Sequence, residues 1–219
     1  MTASEQEYLK QIYLYTQASG DMIHTKQLAI QVNARSASVT DMVKRLAGKE
    51  WVIYNPYRGC CLSDKGKGAA LQVIRRHRLW ELFLAEKLGI DWKEVHTIAT
   101  KLQSIQSDEL IDKLSEYLGN PTYDPHGEAI PDGEGNVPAT DYPEVYDLKI
   151  GQEAIVFGYR DTGKAFLQYV EKLNLLIGVP VKVLSVIDYN FSIEILAGGA
   201  DQHIISKETA QQIYVKVIE

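Results

Sequence analysis

Residues 34–66 read ARSASVTDMVKRLAGKEWVIYNPYRGCCLSDKG and join an amphipathic helix to two short apolar runs. Ser36 is a suitable N-cap, and the apolar residues that follow it recur at the spacing of a helix with one buried face. Those residues are Val39, Met42, Val43 and Leu46. The runs WVIY and GCCL flank the turn NPYR, which predicts a β-hairpin, and Ser63 then caps a long helix over residues 64–87.

Two further helices are predicted before this stretch. Residues 4–18 have apolar side chains at helical spacing behind a predicted capping box of Ser4 and Glu7. Thr25 is the predicted N-cap of a short second helix, KQLAIQV. Three helices followed by a two-stranded hairpin is the order of a winged helix-turn-helix, so residues 1–72 are predicted to form a DNA-binding domain.

The face of the third helix opposite its apolar stripe carries small and hydrogen-bonding side chains. Such residues let a helix backbone approach the base edges in a DNA groove, and a basic side chain at the hairpin tip suits a phosphate contact. The predicted DNA-binding residues are Thr25, Lys26, Arg35, Ser36, Ala37, Ser38, Thr40, Asp41, Lys44 and Arg58. The alternative is a helix face that is only solvated.

The charge of the chain is divided unevenly along its length. The net charge is -6, but residues 1–90 carry 13 Lys and Arg against 8 Asp and Glu, a net of +5, and the remainder carries -11. This asymmetry indicates a polyanionic partner for the first part of the chain only.

Residues 91–105 and 107–118 are predicted to be two more amphipathic helices. Their predicted buried stripes are Val95, Ile98, Ala99, Leu102 and Leu110, Ile111, Leu114, Leu118. Such helices beyond a complete winged domain need a surface against which to bury their apolar faces. A two-fold partner supplies one, so a homodimer is expected.

Residues 119–143 hold five prolines and four glycines and are predicted to be a linker. We therefore assign residues 73–143 to dimerisation and metal-binding helices with this linker. After it come five short strands rich in Val and Ile, with the helical stretch KAFLQYVEKL between the first two. This pattern predicts a small β-barrel over residues 144–219, in a chain that is otherwise mainly α.

No apolar run is long enough to cross a membrane, and the first residues, MTASEQEYLKQ, are polar. A cytoplasmic location without membrane association is therefore expected. Cys60 and Cys61 are adjacent, a spacing that suits neither a disulfide framework nor a zinc cluster. They are interpreted as strand residues in a reducing compartment.

His77 and Glu81 stand four residues apart in RRHRLWELF, residues 75–83. One turn of helix brings their side chains to the same face, which suits two ligands of one metal ion. The same spacing suits a hydrogen-bonded pair without metal, and the residues alone leave both interpretations open.

Six segments in order resemble the diphtheria-toxin-repressor family of iron- and manganese-dependent transcription regulators. They are EYLKQIYLY (7–15), ARSASVTDMVKRL (34–46), YRGCCLSDKGKGAAL (57–71), RRHRLWELFL (75–84), IDWKEVH (90–96) and DPHGEAIPD (124–132). KLNLLIGVPVKVL at residues 172–184 resembles the Src-homology-3-like, FeoA-type domain at the C-terminus of longer members. The likeness covers nearly the whole chain.

The resemblance implies a homodimeric repressor of operator DNA, in which bound metal orders the first helix and positions the recognition helices. It places an ancillary metal site at His77, Glu81 and His96. Two imidazoles and a carboxylate suit Fe²⁺ or Mn²⁺, and Zn²⁺ or Co²⁺ in vitro.

The resemblance places the primary, activating site at Glu7, Thr100, Gln103 and Ser104, where this chain departs from the family pattern. Hydroxyl and amide groups stand at positions where the family commonly has anionic or imidazole ligands. Lys10 adds a positive charge where some members have a carboxylate. We therefore expect about one metal per chain and a weak response of DNA binding to metal. The rival expectation is a weak manganese or iron site that includes Glu7 and Gln103.

Two other classes of function are compatible with parts of the sequence. His77, Glu81 and His96 could form a hydrolytic zinc centre with an open position, although no HExxH, GxSxG or glycine-rich phosphate loop accompanies them. The winged domain could instead bind protein. The basic first part and the small residues of the third helix favour a DNA-binding regulator that is not an enzyme.

Overall fold

The structure is a computed structural model that describes residues 1–124, 126–138, 142–161 and 163–218, without the side chains of residues 92, 93 and 164. The chain divides into two compact units. The first holds residues 1–122 and 130–137, and the second holds residues 123–129 and the chain from 138 onward.

The first unit is helical with one small hairpin, in the predicted winged-helix order. Its elements are α1 (Ala3–Ser19), α2 (Thr25–Gln31), α3 (Ser36–Gly48), β1 (Val52–Asn55), β2 (Gly59–Leu62), α4 (Asp64–Glu86), α5 (Trp92–Leu102) and α6 (Asp108–Tyr117). The two strands pair antiparallel, with Val52 opposite Leu62. The prediction of three helices followed by a wing is confirmed.

Three of the predicted helix caps were wrong by one or two residues. The capping box of α1 is formed by Thr2 and Glu5, because the helix already begins at Ala3. His24 and Arg35 are the N-caps of α2 and α3, so Thr25 and Ser36 are the first residues inside those helices. Ser63 caps α4 as predicted and accepts a hydrogen bond from the Gly66 amide.

The core of the winged domain lies between α1, α3, the hairpin and the first half of α4. Val39, Val43 and Leu46 of α3 are fully buried, as the periodicity predicted, and Met42 is half-buried against them. One position of the predicted α6 stripe is not buried within the single chain. Leu110 is 40% exposed, since the face that packs in the chain is formed by Ile111, Leu114 and Leu118.

The hairpin is fastened to the turn between α1 and α2. Ile23 and Cys60 exchange two backbone hydrogen bonds of 2.9 Å, so residue 23 acts as a short third strand. Gly59 has φ +103°, and a Cβ at this position would overlap the carbonyl of Ile23. Glycine is therefore required for this close approach.

The second unit contains the five predicted strands in one antiparallel sheet. The strands are β3 (Glu153–Tyr159), β4 (Pro180–Ile187), β5 (Ser192–Ala197), β6 (Asp201–Ile205) and β7 (Ile213–Val217), in the order β6-β5-β4-β3-β7. The helix α7 (Lys164–Lys172) follows β3, and the short α8 (Lys207–Ala210) precedes β7. Among the described strands β6 pairs only with β5 and β7 only with β3, so the sheet is open and the predicted barrel is not closed.

The segment predicted to be a linker contributes packed residues to both units. Ile130 is buried in the core around α4 and α6. In the second unit Tyr123 packs edge-on against Phe157, and Gly127 lies so close to Gly158 that a Cβ on either would overlap backbone atoms. Of this segment, Pro125 and residues 139–141 lie outside the described residues.

In the described ranges of the chain, no helix combines the length and apolar character that crossing a bilayer requires.

The contact between α4 and Trp51, the residue before β1, yields a prediction about two neighbouring glycines. A Cβ at Gly66 would overlap the carbonyl of Trp51, whereas a Cβ at Gly68 would meet no atom within 4 Å. Gly66→Ala should lower the free energy of unfolding by about 1–3 kcal/mol because backbone atoms must move apart. Gly68→Ala, the matched control, should raise it by about 0.5–1 kcal/mol. Urea denaturation measures both, and equal effects would contradict the close packing at Gly66.

Candidate metal centre and nucleic-acid interface

The predicted DNA-binding residues lie on three elements of the winged domain: the start of α2, α3 and the tip of the hairpin. The exposed ones are Lys26, Arg35, Ser36, Ala37, Ser38, Asp41, Lys44 and Arg58, and the half-buried ones are Thr25 and Thr40. The first turn of α3 therefore presents small side chains to solvent. Thr40 donates its hydroxyl to the Ser36 carbonyl (3.0 Å), which leaves the hydroxyl oxygen as an acceptor.

Four basic side chains surround this surface: Lys26, Arg35, Lys44 and Arg58. Within the part of the chain that the structure describes, none of them forms an ion pair. Unpaired guanidinium and ammonium groups around a polar helix face suit a polyanion, since they can replace its counterions without first breaking an internal contact.

The tip of the hairpin is held by one asparagine. Asn55 Oδ1 accepts hydrogen bonds from the amides of Tyr57 (2.9 Å) and Arg58 (3.1 Å), which closes an Asx turn. Tyr57 is 91% exposed, and Arg58 is exposed beside it. The turn thus projects an aromatic and a basic side chain on a defined backbone.

The candidate metal centre joins α4 to α5. His77 Nε2 and His96 Nδ1 each lie 3.0 Å from Glu81 Oε1, and the two nitrogens lie 3.2 Å apart. The i,i+4 spacing on α4 aligns His77 with Glu81, and the packing of α5 on α4 brings His96 to them. These are the three residues that the resemblance implies for an ancillary site.

The two histidines stand in different surroundings. His77 and Glu81 are buried, whereas the side chain of His96 is 65% exposed. Burial lowers the pKa of His77 below its ordinary value, against the opposing effect of the Glu81 carboxylate. His77 is therefore neutral near pH 7 and has the protonation state that a metal ligand needs.

The donor set and its spacing fit a first-row divalent metal. Bonds of about 2.1–2.2 Å that meet at right angles place neighbouring ligand atoms about 3.0–3.1 Å apart, close to the separations seen here. Two imidazoles and one carboxylate on one side of an ion leave further positions open. Without a metal ion the same atoms form hydrogen bonds. This one arrangement of His77 and Glu81 therefore suits both interpretations, a hydrogen-bonded pair and two ligands of a metal ion.

The residues of the primary-type site form a different kind of contact. Lys10 Nζ lies 3.2 Å from Glu7 Oε2, and Gln103 Nε2 donates to the same oxygen over 3.4 Å. Gln11 Nε2 donates to Glu7 Oε1 over 2.8 Å. Burial raises the pKa of Glu7, but the charge of Lys10 and these hydrogen bonds outweigh it, and the net pKa is below the ordinary value.

The two hydroxyl groups expected near this site donate to backbone carbonyls of α5. Thr100 Oγ1 donates to the His96 carbonyl and Ser104 Oγ to the Lys101 carbonyl, both over 2.8 Å. Two hydroxyls, an amide and a carboxylate paired with a lysine are not the ligands that a transition metal usually takes, in contrast to the two imidazoles and the carboxylate of the candidate metal centre.

Sequence reasoning missed the role of Glu5. Glu5 is 2% exposed, and its Oε1 lies 2.7 Å from Lys49 Nζ and 3.6 Å from Arg45 Nε. The hydrogen bond from Lys49 is the main reason why the Glu5 pKa is lowered. The Thr2 and Glu5 spacing of a capping box was visible in the sequence, but nothing local indicates a contact with the end of α3.

Three family descriptions match successive parts of the chain. Residues 1–60 match the N-terminal DNA-binding domain of iron-dependent repressors, residues 63–132 match their metal-binding and dimerisation domain, and residues 144–217 match the FeoA domain. An uncharacterized HTH-type transcriptional regulator of Methanocaldococcus jannaschii is 35% identical over 118 residues, which are 54% of this chain and 94% of that protein. The chain belongs to the diphtheria-toxin-repressor family. Its members are metal-dependent transcriptional repressors, and this is the function class of the chain.

Two further similarities agree with membership in this repressor family. The iron-dependent repressor IdeR of Mycobacterium bovis is 29% identical over 124 residues, which are 57% of this chain and 54% of that protein. A solved structure of a manganese-dependent transcriptional repressor in complex with manganese superposes with a TM-score of 0.82 at 30% identity. The match covers 98% of this chain and 100% of that one. The repressor fold therefore extends through both units.

Proposed function

We propose that this repressor acts in the cytoplasm as a homodimer that binds operator DNA through α3 and the hairpin tip. The observation that carries the proposal is the surface of α3, where small side chains are exposed and the surrounding basic groups have no ion-pair partner in the described chain. Such a surface can enter a groove and contact phosphates on both sides.

The exposed residues divide into two roles. Ser36, Ala37 and Ser38 at the first turn of α3, with Thr40 and Asp41 behind them, are placed to approach base edges. The groups placed for phosphate contacts, which fix register without reading sequence, are Thr25, Lys26, Arg35, Lys44 and Arg58.

The dimer is proposed to form through α5 and α6. Residues 63–132 match a domain described as metal-binding and dimerisation. Leu110 and Tyr117 lie seven residues apart on α6 and are both exposed in the isolated chain. Two turns of helix place them on one face, which a second copy of the chain would cover.

One divalent metal per chain is proposed at His77, Glu81 and His96. Fe²⁺ or Mn²⁺ is the expected physiological ion, and Zn²⁺ or Co²⁺ would bind in vitro. A bound ion would supply a fixed link between α4 and α5. The rival site at Glu7 and Gln103 is disfavoured because Lys10 already contacts Glu7.

An enzymatic role for these three ligands and a protein-binding role for the winged domain were the alternatives. Membership in a family of transcriptional repressors favours the regulator over both.

The first test of the proposed function separates base readout from phosphate contact. Ser38→Glu should reduce binding to a duplex from upstream of the protein's own gene by more than a hundredfold, because it places a carboxylate against the groove. Arg58→Ala should weaken operator and random DNA alike and reduce the salt slope by about one unit. Fluorescence anisotropy across a salt series measures both, with Lys216→Ala in the second unit as the control. Equal losses on both duplexes for Ser38→Glu would contradict base readout by α3.

The second test concerns the dimer. Leu110→Asp should yield folded monomers at micromolar concentration, because the side chain is already 40% exposed in the chain and its replacement leaves the core intact. Ile204→Asp, at an exposed apolar position of β6, should leave the dimer unchanged. Light scattering after size-exclusion chromatography distinguishes the two. A monomeric wild type would refute the proposed dimer.

The third test counts the metal ions. Titration calorimetry and elemental analysis with Mn²⁺ or Zn²⁺ should give about one ion per chain for the wild type. His77→Ala should lose it, since two ligands remain, whereas Glu7→Gln and the control His203→Ala should retain it. Two ions per chain in the wild type, reduced to one by Glu7→Gln, would establish the rival site.

A further inference from the structure

Lys10 is a buried cation on α1. Its side chain is 4% exposed, and its ion-pair partner among the described residues is Glu7, 3.2 Å away and itself 28% exposed. Burying an ammonium group is costly unless a charged or strongly polar partner accompanies it. The ion pair lies within α1 and neutralises the Glu7 carboxylate, which can then accept a hydrogen bond from Gln103 outside the helix.

Protein donors occupy the carboxylate oxygens of this ion pair, whereas the buried amide oxygen Oε1 of Gln103 has no hydrogen-bond partner among the described residues. Both carboxylate oxygens of Glu7 accept hydrogen bonds, from Gln11 on one side and Gln103 on the other. The backbone carbonyl of Gln103 accepts from Arg76 Nε over 3.0 Å, and both of those residues are buried. A metal ion at Glu7 would have to displace these donors and would be repelled by the Lys10 ammonium.

We propose that the Lys10 ammonium is a built-in cation that takes the place of the activating metal, so that α1 is held in its DNA-binding position without any ion. This inference rests on the proposed operator binding and specifies its regulation. A metal ion does not fit at Glu7 because this carboxylate, the one anionic group of the primary-type site, is already paired with a protein cation.

A second contact connects α1 to the DNA-binding surface. Glu5 precedes Lys10 on α1 and contacts Lys49 and Arg45 at the end of α3. Helix α1 is therefore connected by Glu7, whose charge Lys10 neutralises, to Gln103 and by Glu5 to the end of α3. If loss of the Lys10 charge lets α1 shift, the contacts of Glu5 would displace the end of α3, the proposed recognition helix.

The test compares Lys10→Gln and Lys10→Glu with the wild type, and Lys182→Gln is the control because it removes an exposed Lys–Glu pair in the second unit. Each protein is titrated with a labelled duplex from upstream of its own gene, in EDTA and in Mn²⁺. The wild type and the control should bind in EDTA, with less than a tenfold gain from Mn²⁺. Lys10→Gln should bind at least tenfold more weakly in both conditions.

Lys10→Glu is the decisive variant, because it converts the ion pair into two adjacent carboxylates that only a cation can hold together. It should lose operator binding in EDTA and regain at least tenfold in Mn²⁺, a response that a merely structural lysine would not produce. Hydrogen exchange of residues 3–19 provides a readout without DNA. Protection should be independent of Mn²⁺ in the wild type and should fall in Lys10→Gln, while the core of α4 stays protected.

The results distinguish the role of Lys10 from operator binding itself. A wild type that binds the duplex only with Mn²⁺, or Lys10→Gln that binds as tightly as the wild type, overturns the built-in cation and leaves operator binding intact. A wild type that binds no duplex in either condition refutes operator binding, and the exchange of α1 then decides the role of Lys10. Should Lys10→Gln fail to fold, the wild-type response to EDTA and the Mn²⁺ rescue of Lys10→Glu decide it.

Discussion

The burial of charge on α1 is the constraint on which the winged domain depends. Glu5 and Lys10 both lie on the inner side of the helix, where an uncompensated charge would be far more costly than an apolar side chain. The charge of Glu5 is compensated by Lys49, which is distant in sequence, and the charge of Lys10 by Glu7 of the same helix. The position of α1 is therefore set by electrostatic contacts in addition to apolar packing, and such contacts tolerate displacement poorly because they weaken as soon as the geometry is lost.

The two groups of potential ligands show how similar positions in a fold can serve different chemistry. His77, Glu81 and His96 bring three ligand atoms within 4.8 Å of one another, which favours a cation from solution. Glu7, by contrast, accepts hydrogen bonds from Gln11 and Gln103 and is paired with the ammonium group of Lys10. The cation beside Glu7 is thus a side chain of the protein. The primary-type site lacks metal ligands and the site at His77, Glu81 and His96 has them. This combination fits a regulator in which metal stabilises the helical domain without controlling DNA binding.

The sequence predicted the order of elements because apolar periodicity and turn residues are local signals, and the stripe of α3 followed directly from them. The predicted starts of α1 and α2 were wrong because several neighbouring polar residues could serve as the N-caps that Thr2 and His24 provide. Closure of the C-terminal sheet depends on pairing between distant strands, which short apolar runs do not encode. The i,i+4 pair on α4 was readable as a candidate metal site, but the addition of His96 required the family resemblance. The burial of Lys10 could not be foreseen, since lysine is ordinarily an exposed residue.

The wing is less independent than its two-stranded form suggests. Its second strand is bonded at Cys60 to Ile23, and Gly59 lies against the same residue too closely for any side chain. The strands below the tip are thus held by the turn that leads into α2, and the tip itself is held by the Asx turn of Asn55. A substitution at Pro56, Tyr57 or Arg58 would therefore change the side chains that the tip presents to solvent without moving the strands beneath it.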